Sequence, residues 1–158
     1  MGVLTADMRR VIEEQQLGFI ATVTPDGKPN LSPKGSTKTF DDGHLIFADI
    51  CSPNTVANLR ANPAIDINVV DPILRKGWRF RGTAEVFGSG PRFDELLGFL
   101  RRSGTTNPVQ HVVLMTVESA DELLSPSYDQ GKTETEIAAQ WEAKHDDLRR
   151  RREARPAA

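Results

Sequence analysis

Lysine and hydroxyl side chains alternate in one short segment of this chain, in a pattern that suits the binding of an anion. Residues 34–38 are Lys-Gly-Ser-Thr-Lys, and the next acidic residue is Asp41. In an extended strand Lys34, Ser36 and Lys38 would share one side, because side chains alternate with a period of two. Positive charge combined with hydroxyl donors is what a phosphate group binds. The segment therefore predicts one wall of a phosphate site.

The start of a short helix adds a second set of anion ligands. A Ser-Pro pair opens the segment 53–61 and an Asn-Pro pair ends it, which predicts a helix there. The N-terminus of a helix carries a partial positive charge and free N–H groups. Ser52, Asn54 and Thr55 stand at that end. Cys51, just before it, is expected to be a semi-buried thiol.

Two arginines on a later strand could complete the positive charge. Arg79 and Arg81 alternate in "GWRFRGTAEVFG", so both face the same way, and they would approach the lysines if the sheet curves round. Each feature alone also has an ordinary structural explanation: a solvated strand face, routine helix capping, or the exposed side of a barrel. Their order along the chain is what favours a shared anion site.

Composition restricts the class of protein. A chain of 158 residues fits one domain, and a net charge of −2 provides no long-range attraction for nucleic acid, so any anion site must be local. Cys51 is the only cysteine, which excludes an internal disulfide, and no spacing of His, Cys or carboxylate residues suggests a metal site. No signal peptide or membrane-spanning run is apparent. We expect a cytoplasmic protein that binds neither nucleic acid nor membrane.

Turn residues divide the first 120 residues into short strands and a few helices. Pro25-Asp26-Gly27 and Asp41-Asp42-Gly43 each separate two extended runs, which predicts two consecutive hairpins. Further strands are predicted at 64–71, 77–88 and 109–119, and helices at 5–16 and 91–104. Six or seven short strands with flanking helices favour a small barrel or a strongly curved antiparallel sheet.

The composition changes after residue 124. Residues 125–132 are typical of a loop, and 133–150 can form a polar helix with Ile137 and Trp141 on one stripe. We expect this helix to dock through Trp141. The basic end "RRRREARPAA", residues 149–158, is expected to be a solvated, frayed terminus.

From "GFIATVTPDGKPNLSPKGSTKTFDDGHLIFADICSPNTVANLRANP" to "GWRFRGTAEVF", the chain resembles the FMN-binding split barrel of the pyridoxamine 5'-phosphate oxidase-like flavoproteins. The resemblance implies a mainly β fold with flanking helices, namely a six- or seven-stranded antiparallel split β-barrel over residues 1–124. Residues 125–158, a loop, a polar helix and a basic tail, would pack on the barrel or its dimer mate. It also implies a homodimer with two FMN sites at the interface, each built from both chains.

The resemblance further implies roles for single residues. It places Lys38 at the FMN phosphate, and Ser36 and Thr37 at the isoalloxazine or ribityl part. Relatives often carry a lysine where Thr55 stands, so the phosphate would depend more on Lys38, Lys34 or an arginine. Phosphate and ribityl contacts are implied for the segment after "LIFAD": Asp49, Ile50, Ser52, Asn54 and Thr55. The implied cross-subunit contacts are Trp78 and Arg79, with Arg81 on the same strand face as Arg79.

A bound flavin performs redox chemistry itself, so the sequence need not supply a catalytic acid or base, and none is assigned. The first hypothesis is an FMN-dependent oxidoreductase that acts on a small organic substrate. Two alternatives remain open: a split-barrel protein that binds a deazaflavin or haem, and a flavin-binding protein without catalytic activity. Oxidation of pyridoxamine phosphate itself is disfavoured, because the chain is short and shows no second phosphate-binding cluster near its C-terminal end.

Overall fold

A computed structural model describes residues 2–155 of the chain. Seven strands and five helices occupy these residues. The predicted helices and strands form, but the last strand continues to Leu124, beyond its predicted end at 119, and a short helix lies within the predicted loop 125–132. In chain order the elements are α1 (Ala6–Gln15), β1 (Gly18–Val23), β2 (Pro29–Lys34), β3 (Lys38–Thr39), β4 (His44–Asp49), α2 (Pro53–Ala61), β5 (Ala64–Asp71), β6 (Lys76–Phe87), α3 (Pro91–Arg102), β7 (His111–Leu124), α4 (Pro126–Asp129) and α5 (Glu134–Glu153).

The seven strands form one curled antiparallel sheet in the order β2-β1-β5-β6-β7-β4-β3. This is the predicted split-barrel architecture, and β1–β2 and β3–β4 are the two predicted hairpins. The pairing of β6 with β7 slips after Arg81, where β7 contains one extra residue, Glu118. A Cβ at Gly82 would lie 1.9 Å from the Thr116 carbonyl oxygen, so the close approach of the strands at this bulge requires glycine.

One face of the sheet packs around α1. Met8, Val11 and Ile12 are buried together with apolar side chains from β1, β4, β5, β6 and β7. The Thr5 hydroxyl caps α1 by accepting the Met8 N–H at 3.3 Å. Asp7 accepts a hydrogen bond from Trp78 Nε1 at 3.0 Å, and this bond connects the first turn of α1 to β6.

A second core lies on the other face of β4 and β7, beneath α3. Ile46 and Ala48 point into it, opposite to Phe47, so β4 is buried on both faces. That position explains its unbroken apolar run. Leu96 and Leu100 of α3 fill this second core and hold α3 on the sheet.

Lys34, Ser36 and Lys38 do not lie on one strand, so that expectation is wrong. β2 ends at Lys34, the chain turns at residues 35–36, and β3 begins at Lys38. The turn is required because β2 and β3 lie at opposite ends of the strand order, one paired with β1 and the other with β4. The three side chains nevertheless reach one cleft, for a reason that differs from strand periodicity.

The C-terminal helix α5 differs from expectation in two respects. Ile137 is fully buried, whereas Trp141 is only half-buried, with its ring centroid 4.1 Å from Arg75 Cζ. Ile137 therefore contributes more to docking than Trp141 does. The helix also continues to Glu153, so residues 149–153 are not frayed. The last part of the predicted frayed end, 156–158, lies outside the described residues.

Candidate functional site

A cleft of about 370 Å³ opens where three segments of one chain meet. Its walls are the turn between β2 and β3, the segment between β4 and α2, and the loop between α3 and β7. The lining contains lysine but no aspartate or glutamate, so the cleft favours an anion. The lining residues are Gln16, Pro33, Lys34, Gly35, Ser36, Lys38, Ala48, Ile50, Cys51, Ser52, Ser103, Gly104, Thr105 and Asn107.

Lys34 is a buried cation held by hydroxyl groups. Only 7% of the residue is exposed, and its Nζ donates to Ser32 Oγ at 2.5 Å and to Ser52 Oγ at 2.6 Å. Neither acceptor carries a negative charge. Burial lowers the pKa of Lys34, and the nearby charge of Asp49 acts in the opposite direction. An anion in the cleft would supply the counter-charge that these hydroxyls do not provide.

Lys38 is buried to a similar degree, and its ammonium group has weaker partners. Only 9% of its side chain is exposed, and no hydrogen bond from Nζ is found to any residue in the range 2–155. The paired carboxylate oxygen, Glu13 Oε2, is 3.8 Å away on a half-exposed side chain. An exposed carboxylate at that distance contributes little. Lys38 can therefore donate to a ligand without losing a strong bond.

Asp49 does not line the cleft but holds one wall of it in place. The residue is 2% exposed. Its Oδ1 accepts the Ser52 N–H at 2.7 Å, and its Oδ2 lies 2.9 Å from His111 Nδ1 at the start of β7. The carboxylate thus fixes the conformation of residues 50–52, two of which, Ile50 and Ser52, were predicted ligands that do line the cleft.

Ser36 and Thr37 differ in what they offer to a ligand. Ser36 lines the cleft, although its Oγ already accepts the Ala48 N–H at 2.9 Å. Thr37 is fully buried, and its hydroxyl donates to the Lys34 carbonyl oxygen at 3.0 Å. Thr37 does not line the cleft, so the structure does not bring it to a ligand there, and its predicted contact stays a prediction.

Asn54 and Thr55 line a smaller neighbouring cleft of about 220 Å³, which shares Cys51 and Ser52 with the main one. Ser52 is the N-cap of α2, but its side chain makes no capping bond and instead accepts from Lys34. The first turn of α2 contains no acidic residue. The positive end of α2 is therefore open to an anion from the small cleft. Cys51 is exposed, not semi-buried as expected.

The three predicted ligands on β6 lie away from the cleft of their own chain. Trp78 packs against the core around α1. Arg79 and Arg81 lie on the outer face of the sheet: Arg79 Nε donates to Asn68 Oδ1 at 3.2 Å, and Arg81 pairs with two aspartates at 2.6 and 3.4 Å. The expected approach of these arginines to the lysines therefore does not occur within one chain. Their contact with a cofactor held by a second copy stays a prediction.

The sequence did not indicate the third wall of the cleft, residues 103–107. Arg101 holds this loop through two hydrogen bonds from Nη1, to the carbonyl oxygens of Thr105 at 2.9 Å and Asn107 at 2.7 Å. Gly104 turns the chain with a φ of 97°. The glycine after two arginines indicated where α3 ends, but the position of the loop follows from the packing of α3 in the second core.

The part of the chain that the structure describes contains no set of side chains suited to bind a metal ion. Over residues 2–155, no group of three or more His, Cys, Asp or Glu side chains could hold a metal ion. The helices in this range also include none that is both long and apolar enough to cross a membrane. The cleft must therefore work with ammonium, hydroxyl, amide and thiol groups.

A curled seven-stranded antiparallel sheet wrapped on α1, with a lysine-lined cleft at the start of α2, defines a split-barrel protein. A family model described as pyridoxamine 5'-phosphate oxidase matches residues 4–124. The chain belongs to this family, as its resemblance implied. Helices α4 and α5 lie beyond the matched residues.

The chain is also similar to known proteins in fold or in sequence. The structure of HupZ from Group A Streptococcus is 31% identical, with a TM-score of 0.69, and the match covers 77% of this chain and 95% of that one. An FMN-binding protein from Syntrophomonas wolfei is 18% identical, with a TM-score of 0.61, over 73% of this chain and 82% of that one, which shows the fold alone. An uncharacterised protein from Methanocaldococcus jannaschii is 29% identical over 89 residues, 55% of this chain and 58% of that protein. The chain thus spans less than two thirds of that curated relative.

Proposed function

We propose that this protein is an FMN-binding oxidoreductase that acts on a small organic substrate as a homodimer. The observation that carries the proposal is the pair of buried lysines, Lys34 and Lys38, in a cleft whose lining has no carboxylate. A phosphate monoester carries close to two negative charges at neutral pH, so it matches two ammonium groups. The shared fold of the S. wolfei FMN-binding protein adds support.

In this proposal the residues of one chain hold the cofactor in two groups. Lys38, Lys34 and the start of α2 bind the phosphate, while Ser36 and Ile50, which line the cleft, contact the ribityl chain or the ring. Asp49 acts on the cofactor only through the segment it positions. Bound FMN supplies the acceptance and donation of a hydride or of electrons. The chain itself then needs to bind, orient and shield, and no lining side chain has to act as an acid or base.

The homodimer is proposed from the outer face of the sheet. Phe19, Val23 and Leu31 on β1 and β2 are 40%, 38% and 66% exposed, and they share this face. The pairing places Phe19 beside Asn68 and Asn68 beside Arg79, so Arg79 lies on the same face. A second copy seated here would cover the apolar side chains and put Arg79 at a shared boundary. Trp78 is less suited to a cross-subunit contact, because it packs on its own core.

The absorbance spectrum of the purified protein tests the cofactor first. We expect flavin bands, either as purified or after titration with FMN. A Soret band would support haem instead, and a colourless protein that binds only added deazaflavin would support that cofactor. If FMN binds, oxidation of a reduced nicotinamide by the holoprotein distinguishes an enzyme from a flavin carrier.

Lysine substitutions test where the phosphate lies. We expect Lys38→Met to weaken FMN binding about tenfold or more, the loss of one hydrogen bond to a charged group. Riboflavin, which lacks the phosphate, should lose little affinity in the same variant. Lys28→Met is the matched control, because Lys28 lies in an exposed hairpin turn paired with Asp26. Equal FMN affinity for Lys38→Met and Lys28→Met, measured by fluorescence titration, would show that the phosphate binds elsewhere.

A further inference from the structure

Cys51 lies beside the cleft and has no role in the packing of the two hydrophobic cores. The residue is exposed and unpaired, and it lines both the main cleft and the smaller cleft beside it. It stands two residues before Pro53, the first residue of α2. A small molecule that enters either cleft therefore meets this thiol.

The groups around Cys51 select the charge of what enters. Lys38 is nine-tenths buried, and it lines the same cleft as Cys51. Its Nζ makes no hydrogen bond to any residue of the described range, and its one paired carboxylate there, Glu13 Oε2, is 3.8 Å away on a half-exposed side chain. Lys34 is bonded to Ser52, the neighbour of Cys51 in the chain. No carboxylate lines the main cleft. The two lysines therefore attract an anion to the space in front of the thiol.

We propose that Cys51 is a modification site for small anionic disulfides, and that the modified protein cannot bind FMN. In this step the Cys51 thiolate attacks one sulfur of the incoming disulfide. A Cys51–S–S bond forms, the original disulfide bond breaks, and the departing thiolate takes up the proton that Cys51 released. The disulfide is the oxidant, and one thiol is released for each cysteine modified. The second half of the proposal rests on the proposed function, because the adduct and FMN would compete for one cleft.

The first test compares two thiol reagents of different charge and does not depend on FMN. For each protein we measure the ratio of its reaction rate with the dianion 5,5'-dithiobis(2-nitrobenzoate) to its rate with neutral 4,4'-dithiodipyridine. We expect this ratio to be higher for the wild type than for an equally exposed cysteine without neighbouring lysines. Lys38→Met and Lys34→Met should each lower this rate ratio about threefold or more, and Lys28→Met should not. Added salt should lower the wild-type ratio, which tests the charge effect even if a lysine variant fails to fold. Cys51→Ser gives the blank, since no other thiol exists. A rate ratio that neither salt nor either lysine variant changes would overturn the proposal.

The second test measures FMN binding to protein modified with oxidised glutathione. We expect the modified protein to bind FMN at least about tenfold more weakly, treatment with dithiothreitol to restore affinity, and bound FMN to slow the modification. If unmodified protein does not bind FMN, the proposed cofactor is wrong, while the reagent comparison still decides the reactivity of Cys51. If modified and unmodified protein bind FMN equally, the adduct does not block the cleft and this inference fails.

Discussion

Lys34 is a residue whose charge should depend on what the cleft holds. Burial lowers its pKa below the usual 10.5, and its bonded partners are two neutral hydroxyls. A lysine is charged below its pKa, so the charge is present at neutral pH and is lost as the pH rises through that lowered value. A bound phosphate favours the charged form and raises the pKa. As the pH rises, the affinity for FMN should therefore begin to fall before pH 10.5 is reached.

This pH dependence can be assigned to Lys34 by substitution. We expect the FMN dissociation constant of the wild type to rise between neutral and alkaline pH, and the Lys34→Met variant to bind more weakly at neutral pH with a smaller rise. Without ligand, the fold should gain stability over the same pH range, because the unfolded chain binds more protons there. Parallel pH profiles for the two proteins, measured by fluorescence titration, would contradict a role for the Lys34 charge.

His111 and His44 form a matched pair that tests the buried carboxylate. Both place Nδ1 against an aspartate, His111 at 2.9 Å from Asp49 and His44 at 2.7 Å from Asp41. Asp49 is buried, whereas Asp41 is half-exposed. We expect His111→Ala to cost about 1–3 kcal/mol of unfolding free energy, because Asp49 loses a partner away from water. The exposed pair is worth under about 1 kcal/mol, so His44→Ala should cost less.

Urea denaturation measures both variants, and FMN titration adds a second readout. Because Asp49 also holds residues 50–52 through the Ser52 N–H, His111→Ala should weaken FMN binding while His44→Ala should not. Equal effects of the two substitutions on stability and binding would mean that the Asp49 carboxylate does not shape the cleft wall.

At the scale of elements, α5 tests whether the C-terminal region is part of the folded unit. Ile137 is 1% exposed and Leu148 on the same helix is 40% exposed. We expect Ile137→Ala to cost about 2–5 kcal/mol, the usual cost of a large-to-small change in a core. Leu148→Ala should change stability by under about 0.5 kcal/mol. If Ile137→Ala unfolds at the wild-type urea concentration, α5 docks only weakly on the barrel.

Helices and strands whose ends are specified by neighbouring residues could be predicted from the sequence. The two Asp-Gly turns and the Ser-Pro helix start act through neighbouring residues, and the hairpins and α2 formed where these signals place them. The relation of Lys34 to Lys38 is not local. It depends on β2 and β3 pairing at different edges of the sheet, and a period-two rule does not contain that information. Both lysines line one cleft, but the expectation that brought them together used a wrong geometry, and their role as cofactor ligands stays a prediction.

The remaining walls of the cleft show the same limit. Residues 103–107 reach it because α3 packs on β4 and β7, and that packing joins α3 to a strand from which α2, β5 and β6 separate it in the sequence. The arginines of β6 were assigned to the lysines on the assumption that curvature would bring them together. The sheet does curl, but Arg79 and Arg81 lie on its outer face. Residue type predicted cationic and hydroxyl side chains that line the cleft, and tertiary packing decided which residues form it.

At the scale of the whole molecule, the two faces of the sheet have different roles. The inner face is filled by α1, whereas the outer face is covered by α3 over β4 and β7 and exposes Phe19, Val23 and Leu31 on β1 and β2. Further along the outer face, Arg81 is paired with Asp66 and Asp121. An apolar patch beside charged side chains is suited to association between two copies, because burial supplies the free energy and the charges fix the orientation.

Leu31→Lys tests this association directly. Leu31 is 66% exposed on β2, so lysine there should not disturb the core, but two copies seated on this face would have to bury the added charges. We expect the wild type to sediment as a dimer, and Leu31→Lys to sediment as a monomer with an unchanged urea midpoint at low concentration. Leu148→Lys on α5 is the control and should remain dimeric. Because the FMN site is proposed to include both chains, dissociation should also weaken FMN binding. A dimeric Leu31→Lys variant would place the interface elsewhere, and a monomeric wild type that still binds FMN would show that one chain suffices.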